Sequence, residues 1–377
     1  AQDRVVLDVE ITEQSTGELS FGAGYSTSEG VIGDVSITER NLFGNGQFVR
    51  LKLAGSIDRM QVDLSFTEPR FLDRNLSAGF DLFHKEIDQR DQSGFRQRKS
   101  GGQVRLGFPL AENLWMQTAY ALSRDQIFDV TNNASLAIKE ACGDPNPSRD
   151  ANITPNCTND AYWTSLVGTT ITYDARNHPR NPTRGFYLQL DDEFAGLGGD
   201  VQYWRVGAEG RAYYPLTEKI TLIGRVIGGH IQGWGGDDPR LLDLYFKGGE
   251  TVRGFDRSGY GPRDLGSQNK DSLGGKTYWA ATAEVRFPLP FVPEDIGLSG
   301  AVFADAGSLF GATEGAKRAL SANPSDLADD STVRSSVGAS LMWNSPVGPL
   351  RMDFAKVITK QSYDEEQFFR FGASTKF

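Results

Sequence analysis

Arg253 is the side chain of this sequence best placed to act as a docking reagent. It is a single guanidinium in Gly248-Gly249-Glu250-Thr251-Val252-Arg253-Gly254-Phe255, with Val252 before it and Gly254 and Phe255 after it. A planar fork of donors between apolar side chains suits bidentate pairing with a carboxylate, and the glycines let the backbone approach a wall closely. The segment sits midway in a polar stretch, residues 233–275. A loop of that length is functional or disordered, and an Arg packed between Val and Phe argues against disorder. A mobile loop with a solvated Arg is the competing reading. Carboxylates able to receive it follow in the sequence: Glu284 in the next run of alternating residues, and Asp305, with Phe303 and Gly307, in the run after that. On a narrow inner wall such carboxylates are costly to leave unpaired, or they simply line a wet channel. Enzyme chemistry finds no support. The three histidines, His84, His178 and His230, are isolated, and no Ser/His/Asp spacing, metal-ligand cluster or phosphate loop stands out. The expectation is no enzyme, no cofactor and no metal.

The two cysteines, Cys142 and Cys157, share one segment dense in Asn, Asp and Pro, with no nearby His to complete a metal site. They read as a local disulfide that contributes about 3 kcal/mol by loop closure, which implies an oxidising compartment. The net charge of −10 leaves no basic stretch to neutralise phosphate, so no nucleic acid is expected as a partner.

The elements that must hold Arg253 come from the alternation. Mean hydropathy is −0.40, and no run of about eighteen apolar residues offers a membrane helix. From Glu18 onward, sixteen runs of roughly ten residues are apolar on one parity and polar on the other. Trp279, Ala281, Ala283, Val285 and Phe287 oppose Tyr278, Thr282, Glu284 and Arg286. Such runs fit a soluble sandwich as well as a barrel, and the connections decide between them. Short turns rich in Pro, Gly and Asn, such as Leu42-Phe43-Gly44-Asn45-Gly46 and Phe108-Pro109-Leu110, alternate with connections that include the long segments 129–160, 233–275 and 307–332. Long loops on one rim, tight turns on the other and an even strand count predict an all-β fold, a sixteen-stranded antiparallel transmembrane barrel. The Arg253 segment then falls on the long-loop rim, where it either extends into solvent or folds into the lumen. Phe108, Trp115, Phe186, Tyr214, Phe287, Trp343 and Phe377 lie near the short turns, as an interfacial girdle would.

Val252-Arg253-Gly254-Phe255, paired with Phe303, Asp305 and Gly307, resembles the signature of the outer-membrane assembly and secretion superfamily, in which the sixth loop enters the barrel. Further likeness lies in Phe21-Gly22-Ala23-Gly24-Tyr25-Ser26, in Asn41-Leu42-Phe43-Gly44-Asn45-Gly46, in Ser345-Pro346-Val347-Gly348-Pro349-Leu350-Arg351 and in a last strand ending at Phe377. Within the superfamily the chain is similar to the central subunits of the β-barrel assembly machine. That resemblance implies that residues 1–16 are the end of the last periplasmic POTRA domain, with further POTRA domains upstream, and that residues 17–377 are the barrel. It implies placement in the outer membrane of a Gram-negative bacterium, amid the bilayer and its lipopolysaccharide. It further implies unfolded barrel proteins as clients, with accessory lipoproteins and periplasmic chaperones as partners. A disulfide in the loop after the seventh strand departs from a pattern expected in the sixth. The implied mechanism is a lateral gate between the first strand (Phe21, Gly22, Gly24, Tyr25) and the last (Phe369, Phe371, Gly372, Phe377). Glycine weakens strand pairing there, or serves only curvature. The alternatives are a translocation barrel of the TamA-like or two-partner secretion kind, and a passive porin.

Overall fold

The computed structural model describes residues 14–158, 161–290, 292–293, 296–345 and 348–376, with residues 373–376 by backbone only. Residues 1–13 and Phe377, which carry part of the POTRA and last-strand expectations, lie outside the described residues. Sixteen antiparallel strands close into one ring. They are β1 (Gly17–Ser26), β2 (Gly30–Leu42), β3 (Gln47–Ser56), β4 (Arg59–Glu68), β5 (Ser77–Asp88), β6 (Arg96–Ala111), β7 (Leu114–Phe128) and β8 (Tyr162–Asp174). They continue as β9 (Gly185–Gly199), β10 (Tyr203–Pro215), β11 (Thr221–Gly233), β12 (Thr277–Pro288), β13 (Leu298–Phe310), β14 (Arg334–Ser345), β15 (Gly348–Thr359) and β16 (Phe369–Lys376). Each strand pairs with its neighbours in sequence, and β16 returns to β1.

The alternation resolves as the barrel requires. Leu188, Leu190 and Val226 point outward and are exposed, whereas Glu284 and Asp305 point inward and are buried. An apolar outer face beside a polar inner one is stable only with hydrocarbon outside and a wet or filled lumen inside. Among the described residues, the closed ring also leaves no row of backbone groups facing lipid, except where pairing at the closing joint is incomplete.

The long connections, described over residues 129–158, 234–276 and 311–333, share one rim and are more structured than their polar composition suggests. Ser135 caps a short helix, Leu136–Ala141, by accepting from the amide of Ala137. A second helix, Glu314–Ala319, packs near it through Ile138, Cys142, Leu273, Ala316 and Leu320, with Phe95 beneath. Cys142 and Cys157 form a disulfide. The three loops thus share a small apolar core, which caps the outer mouth.

Candidate functional site

Arg253 points into the barrel. Its Nε and Nη2 donate to the two oxygens of Asp305 at 2.7 and 2.9 Å, its own backbone amide donates to Asp305 Oδ2 at 3.1 Å, and Nη1 donates to Glu284 Oε2 at 2.8 Å. Its guanidinium carbon lies 3.4 Å from the centroid of the Phe303 ring, a stacked cation–π contact. The inward parity of β12 and β13 brings these partners together, because Phe303 stands opposite Glu284 and Asp305 opposite Thr282. Two cations that the sequence reading did not single out complete the group. Arg286 and Arg351 donate to Glu284 at 2.8 and 3.1 Å, and Arg351 also donates to Asp353 at 2.9 Å. Three guanidiniums therefore balance three carboxylates. A network that is complete in charge and hydrogen bonds is stable at low solvent exposure, where an incomplete one is not.

The neighbours of Arg253 fix its approach. Val252 and Phe255 are fully buried, in a cluster with Tyr260, Leu309, Ala280 and Ile227. Gly254 has φ +96°, and a Cβ there would sit 3.1 Å from Val357 and 3.2 Å from Ala355. Gly307 lets Val252 in, since a Cβ on it would stand 2.9 Å from the Val252 side chain and 2.8 Å from the carbonyl of Trp279. Every residue of the expected docking group, Val252, Arg253, Gly254, Phe255, Glu284, Phe303, Asp305 and Gly307, thus meets at one place.

The sixth loop also pairs with the segment that leads into the last strand. The amide of Asp256 donates to the carbonyl of Glu365 (3.0 Å), that of Glu365 to Gly259 (2.8 Å) and that of Gln367 to Gly254 (2.8 Å). Fully buried Arg263 donates to Glu365 Oε1 at 2.8 Å. No sequence pattern marks this contact. Residues 360–368 read as an ordinary polar loop, and backbone pairing carries no side-chain signature.

At the closing joint, β1 and β16 pair over five positions among the described residues, from Gly22–Lys376 to Ser26–Gly372. By contrast, β1 and β2 pair over ten, from Gly17–Glu39 to Ser26–Gly30. On its other edge β16 holds β15 over five positions, Leu350–Ala373 to Phe354–Phe369. The next residue on β15 is Pro349, which has no N–H to extend that ladder. One half of β16 therefore belongs to β15 and the other to β1, overlapping only at Gly372 and Ala373. Phe21 and Tyr25 face outward on β1, Phe369 faces outward on β16, and the Tyr25 and Phe371 rings lie 6.1 Å apart. Gly22 and Gly24 take the inward parity.

The cap adds a buried carboxyl. Asp271, in the sixth loop, accepts from the amide of Ser135 at 2.7 Å, and burial pushes its pKa up to about 6.

The comparisons with known proteins agree with this geometry. The outer-membrane protein assembly factor BamA of Neorickettsia risticii is 28% identical over 99% of this chain and 47% of its own length. A sorting and assembly machinery component 50 homologue of Xenopus tropicalis is 28% identical over 76% of this chain and 57% of its own length. Among solved structures, BamA of Haemophilus ducreyi lacking POTRA domains 1–3 superposes with a TM-score of 0.84 at 27% identity, covering 97% of this chain and 71% of that one. The chain spans about half the length of the curated BamA relatives it matches. A barrel with this outer surface and these relatives sits in the outer membrane. With the Omp85 superfamily domain matching residues 41–377, and a sixth loop docked by its arginine inside sixteen closed strands, the chain belongs to the Omp85 superfamily.

Proposed function

We propose that this chain is the membrane barrel of an outer-membrane protein assembly factor. It acts without enzymatic chemistry, folding and inserting other β-barrel proteins through a lateral gate between β1 and β16. The observation that carries the reading is the short closing joint. On its seam edge, β1 has no ladder partner for residues 17–21 among the described residues, although its other edge pairs along its whole length. Backbone donors and acceptors facing lipid without partners are several kcal/mol each above their paired state. Such an edge is a strong template for a strand of another chain, by β-augmentation. The clients are unfolded barrel proteins. Accessory lipoproteins and periplasmic chaperones act through the POTRA region, and the bilayer with its lipopolysaccharide surrounds the wall. A porin reading fits poorly, because the sixth loop fills one side of the lumen and the cap covers its outer mouth.

The experiment is a covalent lock. Gly24 and Ser374 are register partners, so Gly24→Cys with Ser374→Cys joins the joint when oxidised. Client assembly in reconstituted vesicles is expected to stop on oxidation and return on reduction. Full assembly by the locked barrel would refute the gate.

A further inference from the structure

The outer wall carries a second feature, on the rim of β5 to β8. Cross-strand register sorts the lipid-facing side chains into rows. Leu82, Gly102 and Leu122 form one row, with Val104 and Tyr120 paired below it. These large apolar side chains are exposed and face the bilayer. The row above is His84, Ser100, Arg124 and Trp163, the next is Glu86, Arg98 and Gln126, and the last is Asp88, Arg96 and Phe128. Side chains two apart on a strand stay on one face, so all three upper rows look out of the barrel. Arg124, Arg98 and Arg96 therefore stand on the outer face one, two and three rows above the last apolar row.

Height decides what they meet. Two residues rise about 6.6 Å along a strand, and strands in such barrels tilt by roughly 40°, so each row climbs about 5 Å. Arg124 and Arg98 then lie about 5 and 10 Å above the last apolar row. The headgroup layer of a bilayer occupies about the first 5–8 Å beyond the hydrocarbon. Long arginine side chains at these heights reach it.

Neighbouring carboxylates leave capacity unused. Arg98 donates to Glu86 at 2.5 Å. Arg96 approaches Glu86, Asp88 and Asp129 only at 3.6–3.8 Å, beyond hydrogen-bond reach, and Asp88 is held by Arg90 at 2.7 Å. Arg124 is exposed and has no ion pair among the described residues. Phe128 stacks beneath Arg96 and Arg98, with guanidinium carbons 5.1 and 4.6 Å from its centroid, which holds both planes in place. Arg98 and Arg124 are diagonal neighbours, about 7 Å apart by sheet geometry, a spacing two forks can bridge onto one phosphate.

We infer that Arg124, Arg98 and Arg96 form a binding site for the phosphate of a lipid headgroup in the outer leaflet. The inference rests on the outer-membrane placement with the long loops outward, and not on the gate. A phosphate between the three supplies acceptors for the donors that Glu86 and Asp88 do not satisfy. The patch thereby anchors the β5–β8 wall at a fixed height, far around the ring from the closing joint.

The test is native mass spectrometry of the purified full chain in detergent, titrated separately with four probes. These are a diphosphorylated acyl-glucosamine disaccharide, the same lipid after dephosphorylation, phosphatidylglycerol, and inorganic phosphate. The wild type is expected to bind the phosphorylated glycolipid about 100-fold more tightly than its dephosphorylated form. R98Q/R124Q should lose that preference, and R98K/R124K, which keeps charge but not the fork, should retain about a tenth of the affinity. Tighter binding of the glycolipid than of phosphatidylglycerol identifies the outer-leaflet lipid, and equal binding of the two identifies any phosphate headgroup. The inference is overturned if dephosphorylation leaves affinity unchanged, if R98Q/R124Q binds like wild type, or if inorganic phosphate binds as well as either lipid. Should the Gln variant fail to fold, the wild-type comparison of the two glycolipid forms decides alone. Client assembly is not the readout, so failure here is separate from failure of the gate.

Discussion

Replacing Arg253 by Ala removes the two side-chain hydrogen bonds and the charge that Arg253 gives Asp305, and leaves a carboxylate that is 3% exposed with only the backbone amide of residue 253 as donor from the loop. Glu284 is less affected, because Arg286 and Arg351 remain at 2.8 and 3.1 Å. The cost therefore falls mainly on Asp305. Breaking a buried pair from one side costs about 3–5 kcal/mol, and the lower figure suits a site whose neighbours keep their partners. About 3 kcal/mol is a factor of roughly 150 in an equilibrium constant. Val252 and Phe255 stay buried, each stabilising the docked loop by about 1.5–3 kcal/mol, so the loop remains mostly docked but opens on the order of 100-fold more often. The assay is amide exchange, read at Asp256, Glu365 and Gln367, whose donors join the sixth loop to the segment before β16. Exchange at all three is expected to accelerate together, while amides of β10 and β11, paired over thirteen positions from Tyr203–Gly233 to Pro215–Thr221, stay unchanged. In an Asp305→Asn background the same substitution should cost under about 1 kcal/mol, because a neutral amide needs no counter-charge. Unchanged exchange at Glu365 and Gln367, or an equal cost in the Asn background, would refute the reasoning.

Three further outcomes follow from the same contacts. Gly254→Ala must place a side chain at φ +96° against Val357 and Ala355, which should cost about 2 kcal/mol and raise the rate of protease nicking in the sixth loop roughly 30-fold. Replacing both Cys142 and Cys157 by Ala opens a loop of sequence separation 15, worth about 3 kcal/mol. Residues 129–158 should become protease-sensitive while the heat-shifted electrophoretic mobility of the folded barrel is unchanged. Asp271 has a folded pKa of about 6, above its ordinary 3.8, so its neutral form is the one that packs. Its contribution to cap docking is full below about pH 3.8 and is lost as pH rises through 6, a change of about 3 kcal/mol. Amides of the helix Leu136–Ala141 should exchange faster at pH 7.5 than at pH 5 after correction for intrinsic rates, and Asp271→Asn should flatten that difference.

The sequence by itself determined the wall. Period-two alternation is a local property, and once one parity is apolar throughout, the faces of every strand are set. Turns of Pro, Gly and Asn on one rim and long polar loops on the other then fixed strand count and direction. The docking partners of Arg253 were legible as candidates, because the inward parity of β12 and β13 offers Glu284 and Asp305. The residues left a solvated loop open, and only the resemblance of Val252-Arg253-Gly254-Phe255 with Phe303, Asp305 and Gly307 to the superfamily signature selected docking. Only the tertiary structure decided what depends on contact between segments remote in the chain. Arg351 looked like any lumen cation until β15 and the sixth loop met β12 at Glu284, whereas Arg286 stands two residues from Glu284 on the same face of one strand. The small core beneath Ile138 and Leu320 was hidden inside loops whose average composition is polar. The hold of the sixth loop on residues 365–367 runs through backbone amides, which every residue but proline possesses, so no choice of side chains could announce it. The shortness of the joint between β1 and β16 likewise depends on register around a closed ring, a quantity that no single strand contains.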